Sequence, residues 1–153
     1  MPAEFAFTLN GQATTVRAEP AQSLLDVLRG TCGLKAARLG CGLGQCGACT
    51  VLVDGEARHA CDTSMEAAAG HDITTLEGLG TRADPHPLQA AFALEQALQC
   101  GFCTSGMLMC SAALLRRDPL PGEQEIREAL NGNLCRCGVH NRIVRAVQRA
   151  AKA

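Results

Sequence analysis

The feature that most restricts this chain is the stretch GCGLGQCGACT, residues 40 to 50, in which Cys41, Cys46 and Cys49 stand at C-x4-C-x2-C spacing. A fourth thiol, Cys61, follows after eleven intervening residues, beyond an Asp54-Gly55 pair. Three thiols crowded into one glycine-rich loop, with a fourth from outside it, is the spacing of a plant-type [2Fe-2S] centre. Zinc sites instead favour paired knuckles. A centre held by four thiolates is negatively charged, and its sulfurs accept hydrogen bonds that set its potential. Gly40, Gly42, Gly44 and Gly47 give the backbone freedom to turn its amides inward as an anion nest.

A second set, Cys100, Cys103, Cys135 and Cys137, comes as QCGFC and NLCRC, two close pairs separated by 31 residues. Each pair precedes or opens an expected helix, where free N–H groups and the helix dipole favour thiolate charge. Four ligands from two helix N-termini make a second [2Fe-2S] centre the natural reading, with zinc as the rival. Cys32 and Cys110 remain, and are expected to be buried, unligated thiols.

These ten cysteines sit in 153 residues with no tyrosine or tryptophan and only 3% aromatic residues. Two small lobes with such thin cores need metal or disulfide support. The net charge of −1, with both signs well mixed, points away from nucleic acid and membrane surfaces. The start, MPAEFAFTLNGQ, carries no export signal, and the longest apolar run, MLMCSAALL, is too short to span a bilayer. The expected location is the cytoplasm, a reducing compartment where cysteine clusters mean metal more often than disulfides. Export carried by a partner subunit, or association with a membrane through one, is the alternative.

Along the chain, FAFTLNGQATTVR reads as a hairpin turning at Asn10-Gly11, and TVLVDGEARHAC as another turning at Asp54-Gly55, with Cys61 on its return strand. Between them SLLDVLRGTCG predicts a helix with Ser23 as N-cap and Gly30 at its end, and ITTL adds a short strand. Beyond the Gly- and Pro-rich GLGTRADPHP the period turns helical: LQAAFALEQALQ, CTSGMLMCSAALLRR, EQEIREALNG and HNRIVRAVQRAAKA. Pro119 and Pro121 separate the second from the third, and Gly132 ends the third. The expected class is α+β: a mixed-sheet domain over residues 1–78, a linker over 79–87, and a helical domain over 88–153.

Other candidates carry less. Arg142, Arg145, Arg149 and Lys152 fall at helical spacing and read as a solvated face. His59, His71, His86 and His140 show no mutual metal spacing, His140 reading as a capping or surface residue near the second set. Met107 and Met109 read as core. No Ser-His-Asp set, phosphate loop or carboxylate pair is evident, so no catalytic residue is assigned.

GCGLGQCGACTVLVDG, QCGFCTSGM and GNLCRCG together resemble the iron–sulfur subunits of the molybdenum hydroxylases, the xanthine dehydrogenase and aldehyde oxidase family, from about Phe5 onward. CRCGVHNRI, ITTLEGL and DPHPLQAAF are most similar to the small subunits of nicotinate and isoquinoline dehydrogenases. The resemblance implies a β-grasp plant-type ferredoxin domain followed by a four-helix-bundle domain, each with one [2Fe-2S] cluster. It implies a large partner subunit holding molybdopterin, in its cytosine dinucleotide form, with the second-domain cluster nearest to it. By the same resemblance Gln99 and Cys137 approach the pterin, and electrons pass one at a time from that cofactor through both clusters to a haem of a cytochrome c or to an FAD subunit. The chain departs from the family where Thr104-Ser105 stands for Thr-Pro and Gly138-Val139-His140 for Thr-Gly-Tyr, which leaves substrate and acceptor open. An N-heteroaromatic substrate of the complex is the expectation, with an aldehyde as the alternative. A free two-cluster ferredoxin and a zinc-stabilised binding module are the rival functions.

Overall fold

The computed structural model describes residues 1–153, in two packed lobes. In the first lobe β1 (Ala3–Leu9) and β2 (Gln12–Ala18) form an antiparallel hairpin. Asn10 and Gly11 turn it at φ 50° and 81°, the type I′ geometry that matches strand twist. α1 (Leu24–Asp26) starts where Ser23 Oγ accepts the Asp26 N–H at 3.1 Å.

The helix does not stop at Gly30. It widens into a π-helical turn over Val27–Thr31, with the Cys32 N–H on the Val27 carbonyl, and the left-handed residue after it is Gly33. Leu24, Leu25, Val27 and Leu28 are all buried in the core of this lobe.

After the long thiol loop, β3 (Thr50–Val53) and β4 (Glu56–His59) form the second hairpin. Cys61 lies just past β4, in a 3-10 turn over Ala60–Asp62, and not on the strand. α2 (Met65–Ala68) follows, then β5 (Asp72–Thr74), which pairs parallel with β1 and antiparallel with β3. The sheet is therefore mixed, in the order β2-β1-β5-β3-β4.

The chain crosses to the second lobe through α3 (Leu76–Leu79), whose two leucines pack on the helical core. α4 (Pro87–Leu94) is capped by His86, whose Nδ1 accepts the Leu88 N–H at 3.1 Å. It is shorter than its apolar period predicts: Gln96 turns left-handed, and the Ala97 N–H closes back on the Phe92 carbonyl. That early stop leaves residues 97–103 free to loop around Cys100.

α5 (Thr104–Arg117), α6 (Glu123–Ala129) and α7 (His140–Ala150) complete the lobe around Phe92, Met107, Met109, Ile126 and Ile143, all essentially inaccessible. α6 closes at Leu130, two residues before Gly132. α5 lies across β3, so Leu52 of the sheet belongs to the helical core. Arg145 and Arg149 of α7 are not merely solvated: both reach Glu95 at the end of α4, Arg149 at 2.7 Å. No helix is long and apolar enough to cross a membrane.

Candidate metal centres

The first four thiols come from an irregular loop and the turn after β4. Three backbone amides, of Leu43, Gln45 and Cys46, donate to Cys41 Sγ at 3.2–3.3 Å. Those N–H groups hold the Cys41 thiol down to about 6, which favours its thiolate. The Gly44 amide donates to Cys61 Sγ at 3.3 Å, and Gly44 can present it because it adopts φ 65°. Of the four glycines expected to aim amides, Gly44 alone donates its own; the others let their neighbours do so. Cys49 is 2% exposed, and burial pushes its thiol up to about 12. An anion in that position therefore needs a bound cation beside it.

In the second lobe Cys103 caps the start of α5, and Cys135 and Cys137 lead into α7. Burial, followed by the neighbouring Cys135 thiol, pushes Cys103 up to about 12. Cys135 is held low despite the opposing pull of burial, chiefly by the Val139 N–H and the Cys103 thiol. The Phe102 amide, donating at 3.5 Å, holds exposed Cys100 low, and the Cys137 thiol adds to this.

Each set is grouped in twos. Cys41 meets Cys46 and Cys49 meets Cys61, while Cys100 meets Cys137 and Cys103 meets Cys135. A tetrahedral zinc would instead draw all four thiolates around a single ion. A [2Fe-2S] core has two irons and four thiolates, two to each iron, and thiols in adjacent pairs fit it. All ten cysteines are free, and Cys32 and Cys110 stand outside both sets, half-buried, with their thiols pushed up by burial.

The two loops are joined by contacts that spacing does not reveal. The Leu134 amide donates to the Cys46 carbonyl at 3.0 Å. Asn133, 4% exposed, donates to the Gly47 carbonyl at 3.3 Å. Gly106 of α5 presses on the same peptide, since a Cβ there would sit 2.0 Å from the Gly47 oxygen. Arg38 donates from Nη1 to the Gly101 carbonyl at 2.8 Å and lies over the Phe102 ring. The signals for Asn133 and Leu134 lie in the NLCRC motif itself; nothing in the sequence singles out Arg38.

Gln99 Nε2 donates to the Cys137 carbonyl at 3.4 Å, so the two residues singled out by resemblance stand side by side at the surface. Around them Leu98, Phe102 and Leu134 are exposed, and Leu39 and Leu43 are exposed by the first set. A cavity of about 640 Å³ lies behind Cys135, lined by Arg127, Arg136, His140 and the apolar Leu130 and Val144.

Two family models match in tandem, a 2Fe-2S iron-sulfur cluster binding domain over residues 7–75 and a [2Fe-2S] binding domain over residues 75–148. With the paired thiols they define an iron–sulfur protein with two [2Fe-2S] binding domains. The chain is 51% identical to a nicotinate dehydrogenase subunit of Pseudomonas putida, over 99% of this chain and 97% of that protein. It is 48% identical to the alpha subunit of isoquinoline 1-oxidoreductase from Brevundimonas diminuta, over 95% and 96%. Its fold superposes on a chain of quinoline 2-oxidoreductase from Pseudomonas putida 86 with a TM-score of 0.95 and 39% identity, over 99% of this chain and 95% of that one. The chain belongs to the iron–sulfur subunits of the molybdenum hydroxylases, the xanthine dehydrogenase family.

Proposed function

We propose that the chain is the electron-transfer subunit of a cytoplasmic molybdenum hydroxylase acting on an N-heteroaromatic ring. It would carry electrons one at a time from molybdopterin, in its cytosine dinucleotide form, on a large partner subunit to a haem or flavin acceptor. The observation that carries the reading is the pairing of thiols in both lobes, joined by a direct hydrogen bond from Leu134 to Cys46.

Cys41, Cys46, Cys49 and Cys61 would hold one [2Fe-2S] cluster, and Cys100, Cys103, Cys135 and Cys137 the other. When bound, such clusters supply one-electron storage, which lets a two-electron oxidation discharge in single steps. The chain's own residues do the rest. Backbone amides of Leu43, Gly44, Gln45 and Cys46 donate to the first thiol set, and the Phe102 amide donates to the second. The buried flanks of Cys49 and Cys103 keep water off one side of each set.

Gln99 and Cys137, together at the surface, would face the pterin, with Leu98, Phe102 and Leu134 as the apolar rim against the large subunit. The rim of Leu39 and Leu43 would face the acceptor. The names of the relatives, with nicotinate and isoquinoline among them, support the heteroaromatic substrate class.

The test is to isolate the native complex, identify its other subunits, and add nicotinate, isoquinoline or an aromatic aldehyde anaerobically. Two distinct [2Fe-2S] electron paramagnetic resonance (EPR) signals should appear with the heteroaromatic substrates. A colourless, iron-free chain, or one isolated alone and inert toward all three, would refute the proposal.

A further inference from the structure

Arg38 belongs to the first lobe yet touches both thiol loops. Its backbone N–H donates to the Ala48 carbonyl at 3.0 Å, between Cys46 and Cys49. Its Nη1 donates to the Gly101 carbonyl at 2.8 Å, between Cys100 and Cys103. The guanidinium carbon lies 5.4 Å from the centre of the Phe102 ring, in the same loop. No carboxylate neutralises it: the ion pairs of the chain involve Met1, His71, Arg127, Arg145 and Arg149. A half-buried, uncompensated cation is thus pinned by a hydrogen bond and a ring face beside the second thiol set.

We infer that Arg38 is the positioning residue by which the first lobe raises the electron affinity of the centre bounded by Cys100, Cys103, Cys135 and Cys137. The inference rests on the reading that this set holds a [2Fe-2S] cluster. Gaining one electron adds one negative charge to four thiolates and two irons. A fixed cation at the rim, shielded from water on one side, favours that added charge and falls off with distance. Because its side chain faces Gly101 and Phe102, Arg38 acts on the second centre more than on the first. Its ever-charged planar fork suits the place: the fork holds the carbonyl while the plane lies on the ring. A lysine would keep the charge without the two-point hold.

The experiment is an EPR-monitored redox titration of the full chain in its complex, comparing wild type, Arg38→Gln and Arg38→Lys. Cys137→Ser assigns the second-lobe signal by its loss. In Arg38→Gln the second-lobe midpoint should fall by about tenfold in its equilibrium constant, about 59 mV for one electron. The first-lobe midpoint should move less, and Arg38→Lys should recover part of the shift.

A merely structural role predicts lower melting temperatures for both variants with both midpoints unmoved, and that result would overturn the inference. Should Arg38→Gln fail to load iron, Phe102→Leu frees the guanidinium without removing its charge. It should move the second-lobe midpoint the same way by less; an unmoved midpoint again overturns the inference. A wild-type chain with only one signal would overturn the two-centre reading beneath it.

Discussion

The Leu134 N–H donates to the Cys46 carbonyl at 3.0 Å, so the residue before one thiol pair of the second set is hydrogen-bonded to a cysteine of the first set. From Cys46 Sγ to Cys135 Sγ the route runs through covalent bonds broken only by that one hydrogen bond. The same bond therefore serves as a short through-bond link between the thiol sets and as a tie between lobes.

Replacing Leu134 by proline removes this donor and also restricts Asn133. We expect a loss of about 1–3 kcal/mol of stability, with slower electron exchange between the two signals. Leu134→Ala keeps the N–H and should exchange at the wild-type rate. Thermal melting and rapid-freeze EPR distinguish the two variants.

Gly106→Ala tests the packing of α5 on the first thiol loop. Its Cβ would meet the Gly47 carbonyl at 2.0 Å, a backbone contact that cannot swing aside. The expected cost is about 3 kcal/mol or more, with a lower melting temperature and weakened iron loading in the first lobe. Asn133→Ala is milder at that peptide, because the Gly47 oxygen keeps the Thr50 hydroxyl at 2.7 Å.

Thiol substitutions separate ligands from bystanders. Cys49→Ser should remove about half of the iron and one EPR signal, because a hydroxyl does not supply the second thiolate of its pair. Cys137→Ser should likewise silence the second-lobe signal and stop electron delivery to the acceptor. Cys32→Ser and Cys110→Ala should retain full iron content, measured by elemental assay.

Glu95 gives a pH prediction with a definite sign. The Arg149 and Arg145 side chains hold its carboxyl below its ordinary value of 4.5. A depressed folded-state value means the pair's stability is present above the unfolded value and is lost as pH falls through the folded one. Wild type should therefore lose stability more steeply than Glu95→Gln as pH falls below the ordinary carboxyl value of 4.5. Urea unfolding midpoints across that range measure the difference.

What the sequence discloses follows from how local each signal is. Asn10-Gly11 and Asp54-Gly55 dictate their own turns, so both hairpins are readable, and the C-x4-C-x2-C loop announces its chemistry by spacing alone. The π-helical turn at Val27–Thr31 is not readable, because the apolar spacing around it is the same as an α-helix's and its burial is set by a sheet assembled from distant strands. Nor is the end of α4 at Gln96: the apolar period runs on, but the chain must turn to present Cys100.

The Asn133 contact and the role of Arg38 depend on how the lobes meet, which no spacing encodes, and the thiol pairing depends on how each lobe folds its own loops together. The same applies to Arg145 and Arg149, which read as solvated until α4 and α7 are laid side by side.

Leu52, a residue of the sheet, is 1% exposed only because α5 covers it. The first lobe is thus not a portable ferredoxin that happens to be fused to a helical module. Excised, it would present a greasy strand and a bare glycine loop to solvent; each half completes the other's interior. Attempts to graft the first lobe alone onto another oxidoreductase would therefore have to bring α5 along.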